Sequence, residues 1–143
     1  MSVAKVFIDT NILIYAYDSS AGEKHVVASR QLEDLWRTES GLLSIQVLQE
    51  FYVNVTRKIA KPLTIPVARS LVEDLSRMEV ISVGSDTILA AIDMQREHLL
   101  SFWDAMIVTT AFMGGAEILL TEDLNNDQII KGVRILNPFC PKL

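Results

Sequence analysis

Short apolar segments alternate with longer segments of helical period along almost the whole chain. The short segments, rich in aliphatic residues and bounded by polar residues or glycine as buried strands are, span about residues 3–8, 42–44, 80–83, 118–120 and 133–136. After a short helix behind Asn11, apolar residues recur at helical spacing over about residues 23–38, 45–59, 66–78, 85–98 and 101–114. This alternation is typical of a parallel sheet with helices on both faces. We therefore predict one three-layer α/β/α domain over residues 1–143, with a central parallel sheet of about five strands.

Composition limits the class of protein. Half of the 143 residues are hydrophobic, which excludes a disordered chain and suffices for one core. No apolar stretch approaches the roughly 18 residues that span a bilayer, and the start "MSVAKVFIDT" lacks the features of a signal peptide. The single cysteine, Cys140, agrees with a reducing compartment and excludes an internal disulfide. We expect a cytoplasmic protein without a membrane segment.

Four carboxylates stand out by their positions. Asp9 follows the first predicted strand, and Asp123 follows the fourth. Glu50 lies early in the helix after the second strand, and Asp104 lies in the first turn of its helix. In open parallel sheets, ligands bind beyond the carboxyl ends of the strands. We therefore expect these four side chains to converge at that edge of the sheet.

Each acid also has an ordinary explanation. Asp9 could cap the following helix, and Asp104, three residues after Ser101, could belong to a capping box. Asp123 could begin a helix, and Glu50 could reach solvent. Together, however, they are unfavourable without a cation, because two charges about 4 Å apart repel by roughly 4 kcal/mol at a dielectric near 20. Oxygen ligands without nearby Cys or His favour Mg²⁺, or Mn²⁺ in its place, and a metal-bound water can attack a phosphodiester.

The net charge of −5 argues against a nucleic-acid partner, which usually requires a basic surface. A bound cation would largely neutralise the four acids. Arg57, Lys58 and Lys61 also form a local basic run. That run either borders the acidic pocket or is a solvated helix end.

Four blocks of the sequence resemble the PIN-domain ribonucleases, in particular the toxins of VapBC-type toxin–antitoxin pairs. They are "VFIDTNILIYAYD", "SIQVLQEFYVNVTRK", "SFWDAMIVTTA" and "ILLTEDLNNDQIIKGVRILNPF", in this order over nearly the whole chain. The resemblance implies endonucleolytic cleavage of RNA, frequent homodimers, and a cognate antitoxin that blocks the acidic pocket. It implies that four acids are catalytic and bind Mg²⁺: Asp9, Glu50, Asp104 and Asp123. It also implies that two polar residues, Asn11 and Thr121, steady the carboxylates and bound water.

The chain departs from the family pattern at Asp127, where the pattern has a glycine. We expect this additional carboxylate to face solvent. Glu122 adjoins the site in sequence, but a side chain next to Asp123 on a turn should point elsewhere.

Two other functions fit parts of the pattern. One is a phosphatase or phosphotransferase with Asp9 as covalent nucleophile and Mg²⁺ on Asp123 and Asp127, although Asn11 stands where a second acid would act as acid/base. The other is a protein without enzymatic activity, either a signalling receiver or a passive binding module. A receiver needs an acceptor aspartate after the third strand, where Gly84 follows Val83.

Overall fold

The computed structural model describes residues 3–140, in which strands and helices alternate. The elements are β1 (Val6–Ile8), α1 (Thr10–Tyr17), α2 (Glu23–Thr38), β2 (Gly41–Ser44), α3 (Ile45–Arg57), α4 (Ile65–Leu75), β3 (Glu79–Ile81), α5 (Ser85–His98), α6 (Phe102–Met113), β4 (Ile118–Leu120), β5 (Ile129–Ile130) and β6 (Val133–Leu136). A single 3₁₀ turn, Ser19–Ala21, connects α1 to α2. The predicted bounds of α2 and α5 are confirmed at both ends.

The strands form one sheet in the order β3-β2-β1-β4-β6-β5, and all neighbours are parallel except β5 and β6. The strand order reverses between β1 and β4, since the chain runs outward from β1 in one direction and returns to β4 on its other side. Ile8 pairs with Leu120 at the carboxyl ends of these two strands. The next residues, Asp9 and Thr121, therefore lie side by side at the switch point, where open α/β sheets bind ligands.

The three-layer prediction is confirmed, but the sheet has six strands where about five were expected. The additional strand, β5, is two residues long and antiparallel to β6. Its hairpin turns at Lys131 and Gly132, both of which have positive φ, 49° and 81°. Two consecutive residues with positive φ suit a tight hairpin, and this turn creates a strand that is too short for its own periodicity to show.

The core lies on both faces of the sheet. Phe7, Leu42, Leu119 and Ile135 are fully buried or nearly so, as expected for strands covered on both sides. On one face, the buried ring of Phe51 from α3 packs edge-on against Tyr17 of α1, with ring centroids 5.5 Å apart. This contact holds α3 against α1 and so brings a carboxylate of α3 towards the end of β1.

None of the helices in residues 3–140 combines the length and the apolar character that crossing a bilayer requires.

Candidate active site

Asp9 lies at the end of β1 and is almost fully buried, with 8% of its surface exposed. One carboxylate oxygen accepts a hydrogen bond from the Thr10 backbone N–H at 2.7 Å, which caps α1, and the other accepts from the Thr121 hydroxyl at 2.8 Å. Burial raises the pKa of Asp9 to about 6, and the charges of Asp123 and Glu50 add to this rise against the two hydrogen bonds. Asp9 is therefore a helix cap and also part of a negatively charged cluster.

Glu50 reaches the same edge from the second turn of α3. Its carboxylate accepts hydrogen bonds from the Thr10 hydroxyl and from the side-chain amide of Gln46, both at 2.8 Å. Thr10 therefore connects two acids, because its backbone N–H binds Asp9 and its hydroxyl binds Glu50. Glu50 is held in place by neutral donors, with no cationic side chain among its hydrogen-bond partners in residues 3–140.

Asp123 follows β4 and forms hydrogen bonds with residues that follow β1 and β4. Its carboxylate accepts from the Asn11 side-chain amide at 3.1 Å, and its backbone N–H donates to the Thr121 hydroxyl at 3.1 Å. Since the Thr121 hydroxyl donates to Asp9, one buried group links Asp9 and Asp123. Burial and then the charges of Glu122 and Asp104 raise the pKa of Asp123, which the Asn11 hydrogen bond opposes.

Asp104 comes from the first turn of α6, after Ser101. The Ser101 hydroxyl caps this helix by accepting from the Asp104 backbone N–H at 3.1 Å. Within residues 3–140 the Asp104 carboxylate has no hydrogen-bond partner, and it lies close enough to Asp123 to raise the pKa of that residue. The helix terminus alone therefore positions this half-buried acid.

We call the four carboxylates the acid site. The charges of Glu50 and Asp123 raise the pKa of Asp9, and the charge of Asp104 raises the pKa of Asp123, so the four form a connected series. No three His, Cys, Asp or Glu side chains in residues 3–140 are arranged to hold one ion. The oxygens of Asp9 and Glu50 instead face hydroxyl and amide donors. The donor set still fits a hard divalent cation, because it consists of oxygens and carries negative charge that burial leaves uncompensated.

A model of the PIN domain matches residues 6–131, which is most of the chain. The protein belongs to the PIN-domain family. Members of this family that act as nucleases generally use divalent metal ions. Comparison with curated protein sequences gives no match.

Several solved structures share this PIN fold. A toxin–antitoxin complex from Klebsiella pneumoniae aligns with 94% of this chain and 98% of its own, at 23% identity and a TM-score of 0.70. DNA-bound VapBC from Salmonella typhimurium aligns over 93% and 97%, at 22% identity and a TM-score of 0.65. VapC20 from Mycobacterium tuberculosis, a toxin that cleaves the sarcin–ricin loop, aligns over 80% and 87%, at 22% identity and a TM-score of 0.62. At these identities the likeness establishes the fold.

Asp127, at the position where the resemblance implies a glycine, has a positive φ of 68°. Aspartate tolerates this left-handed conformation better than most residues, which explains why either residue type can stand there. Its exposed carboxylate pairs with Arg134 at 2.9 Å, in agreement with the expectation that it lies outside the acid site.

Glu122 points away from the acid site, also as expected. It accepts hydrogen bonds from the Tyr15 hydroxyl at 2.5 Å and from Lys24 at 2.8 Å. Its charge nevertheless raises the pKa of Asp123 through space.

Sequence reasoning missed two supporting residues, Thr10 and Gln46. Gln46 lies one helical turn before Glu50, so the i, i+4 spacing of an amide and a carboxylate was an available signal. The Thr10 contact joins residues 40 positions apart and has no local signal.

Proposed function

We propose that this PIN-domain protein is a Mg²⁺-dependent endoribonuclease and the toxin of a toxin–antitoxin pair. The main support is that Asp9, buried and with its pKa raised to about 6, lies within a series of carboxylates. The cationic side chain that opposes the rise in pKa at Asp123, Lys24, is itself paired with Glu122. Clustered carboxylates repel one another and so weaken the fold unless a cation neutralises them. Family membership and the VapBC-like fold support the same assignment.

In this proposal the acid site holds Mg²⁺, for which Mn²⁺ can substitute. The bound cation supplies a water of lowered pKa and stabilises charge on the leaving oxygen. The Thr121 hydroxyl and the Thr10 N–H favour the ionised form of Asp9, which is the form that binds a cation. The Asn11 amide does the same for Asp123.

A covalent mechanism at Asp9 is less well supported. Hydrogen bonds to both oxygens hold the nearly buried Asp9 carboxylate in place, which leaves lone pairs for a cation but not the freedom to attack phosphorus. Asp127, which would bind Mg²⁺ together with Asp123 in a phosphatase, is paired with Arg134 instead. We therefore assign the nucleophile to water.

The proposal is tested by incubating the purified protein with total cellular RNA in Mg²⁺, Mn²⁺ or EDTA. We expect discrete cleavage products with either metal, none in EDTA, and none from Asp9→Asn. Folded wild-type protein that leaves all RNAs intact in both metals would count against the nuclease. Faster turnover of small phosphate monoesters than of RNA would support the phosphatase instead.

We also propose a cognate antitoxin that covers the acid site with a basic side chain. A guanidinium fits best, since it binds carboxylates with two parallel hydrogen bonds and can replace the charge of the cation. Asp104→Asn or Asp123→Asn should then weaken the complex with the antitoxin at least about tenfold, whereas Asp86→Asn, on exposed α5 surface, should not. Equal affinities for all three variants, measured by calorimetry, would exclude this mode of inhibition.

We also propose that the protein is a homodimer in the cytoplasm. The exposed apolar side chains of Leu89 on α5 and Trp103 on α6, 64% and 63% exposed, are compatible with such an association. The cysteine Cys140 is free and exposed, which suits a reducing compartment. A molar mass of one chain in solution at micromolar concentration would argue against the dimer.

A further inference from the structure

A cleft of about 470 Å³ adjoins the acid site, between the start of α1, the start of α2 and the end of α3. We call it the basic cleft, because two lysines, Lys24 and Lys58, line it together with one acid, Asp18. Its other lining residues include Asn11, Tyr15 and Asn54. Asn11 belongs to both sites, since its amide donates to Asp123 while its side chain lines the cleft. The two sites therefore share one residue.

One face of α3 leads from the acid site into the basic cleft. Glu50, Asn54 and Lys58 follow one another at i, i+4 and i+8, so they lie in one row along the helix. The Asn54 amide donates to the Glu50 backbone carbonyl at 2.7 Å, and the Lys58 N–H donates to the Asn54 carbonyl at 2.8 Å, which continues the helical turn through Lys58. With a rise of 1.5 Å per residue, Lys58 lies about 12 Å from Glu50 along the helix axis.

The two lysines of the cleft differ in their charge environment. Lys24 is neutralised by Glu122 at 2.8 Å. Lys58 is exposed and forms no ion pair with any residue between positions 3 and 140. In a chain of net charge −5, an uncompensated ammonium about 12 Å along α3 from Glu50 of the acid site is a spaced arrangement of opposite charges. It suits a ligand that is anionic and longer than one phosphate.

We propose that the basic cleft binds the sugar–phosphate backbone of the single-stranded RNA segment that leads away from the acid site. Lys58 is the principal phosphate contact, and Lys24 and the Asn54 amide are weaker ones. Ammonium and amide donors bind phosphate without reading sequence, so the cleft contributes affinity and register rather than base specificity. The proposal depends on the proposed function only in placing the scissile phosphate at the acid site.

The test measures binding of a fluorescent single-stranded RNA of about twelve nucleotides in EDTA, by anisotropy at several salt concentrations. Lys58→Ala should weaken binding several-fold and lower the slope of log K against log salt by about 0.7, the value for one phosphate contact on a single strand. Lys58→Glu should weaken binding further. Lys24→Ala should act in the same direction as Lys58→Ala.

Lys5→Ala is the matched control. Lys5 precedes β1, at the opposite edge of the sheet, and pairs there with Glu79 at 3.3 Å. The Lys5→Ala substitution removes the same unit of positive charge as Lys58→Ala, so a general effect of net charge would affect both variants equally. Equal affinity and equal salt slope for Lys58→Ala and Lys5→Ala would overturn the proposal.

A parallel cleavage assay separates this proposal from the nuclease assignment. With Mg²⁺, Lys58→Ala should raise the KM for RNA by about the factor by which it weakens binding, while Lys5→Ala should not. If the wild type cuts RNA and the two variants bind and cut it alike, the nuclease stands and the basic cleft is wrong. If the wild type cuts no RNA, the nuclease assignment fails and the binding comparison alone decides whether the cleft holds RNA.

Discussion

Asp104→Asn is expected to lower the rate of Mg²⁺-dependent RNA cleavage on the order of a thousand-fold while the protein stays folded. The Asp104 carboxylate is half-buried, receives no hydrogen bond in residues 3–140, and faces Asp123 across the acid site. Its backbone N–H, not its side chain, completes the cap on Ser101. The amide is nearly isosteric with the carboxylate, so the substitution removes the proposed cation ligand and little else.

Asp86→Asn provides the matched control. Asp86 is also an acid in the first turn of a helix, α5, but it is exposed, and its charge does not contribute to the raised pKa of Asp9 or Asp123. Both substitutions lose the same favourable interaction with a helix dipole, worth about 0.3–1 kcal/mol. Single-turnover cleavage rates and thermal unfolding of both variants are compared with the wild type. If Asp104→Asn keeps a tenth of the wild-type activity or more, Asp104 does not bind the cation. The same follows if Asp86→Asn loses as much activity as Asp104→Asn does.

Most of the fold could be predicted because the sequence patterns that indicate its helices and strands are local. The apolar stripe of α2 ends at a break in polarity, and α5 begins just after Gly84, so both helices were bounded correctly. The two-residue strand β5 had no such signal, since its pairing depends on the turn at Lys131 and Gly132. Short elements that are defined by their partners cannot be recognised from their own residues.

From the sequence it was predictable that Asp9 and Asp123 lie at one edge of the sheet, whereas the contacts of the four acids were not predictable. A parallel sheet requires that Asp9 and Thr121 lie at one edge, because they follow adjacent strands. The contacts that orient the side chains join distant parts of the chain, as Thr10 does with Glu50 and Lys24 with Glu122. No periodicity encodes these contacts, because they depend on how α3 and α2 pack against α1.

Asp9→Asn is expected to make the metal-free protein more stable at neutral pH, by about 1–3 kcal/mol in free energy of unfolding. The pKa of Asp9 rises from 3.8 to about 6 in the folded protein, so the folded state holds this proton more tightly than the unfolded state. The contribution of Asp9 to stability is therefore complete below about pH 4 and is lost as the pH rises through about 6. Asparagine stays neutral throughout and avoids this loss. The gain in free energy of unfolding stays below about 3 kcal/mol, because the asparagine side chain places an N–H where Asp9 accepts hydrogen bonds from both Thr10 and Thr121.

Urea unfolding in EDTA at intervals between pH 4 and 8 measures this difference. The free energies of wild type and Asp9→Asn should be similar near pH 4 and diverge up to about pH 7. Asp34→Asn, an exposed acid paired with Arg37 on α2, should show no such divergence.

Mg²⁺ should reverse the order of stability of wild type and Asp9→Asn, because a ligand that binds only the folded state adds RT ln(1 + [L]/Kd) to the stability of the wild type and little to that of the variant. An Asp9→Asn protein that is less stable than the wild type at pH 7 in EDTA would mean that the cap on α1 outweighs the repulsion among the acids. A cation would then not be needed to explain why the cluster is tolerated.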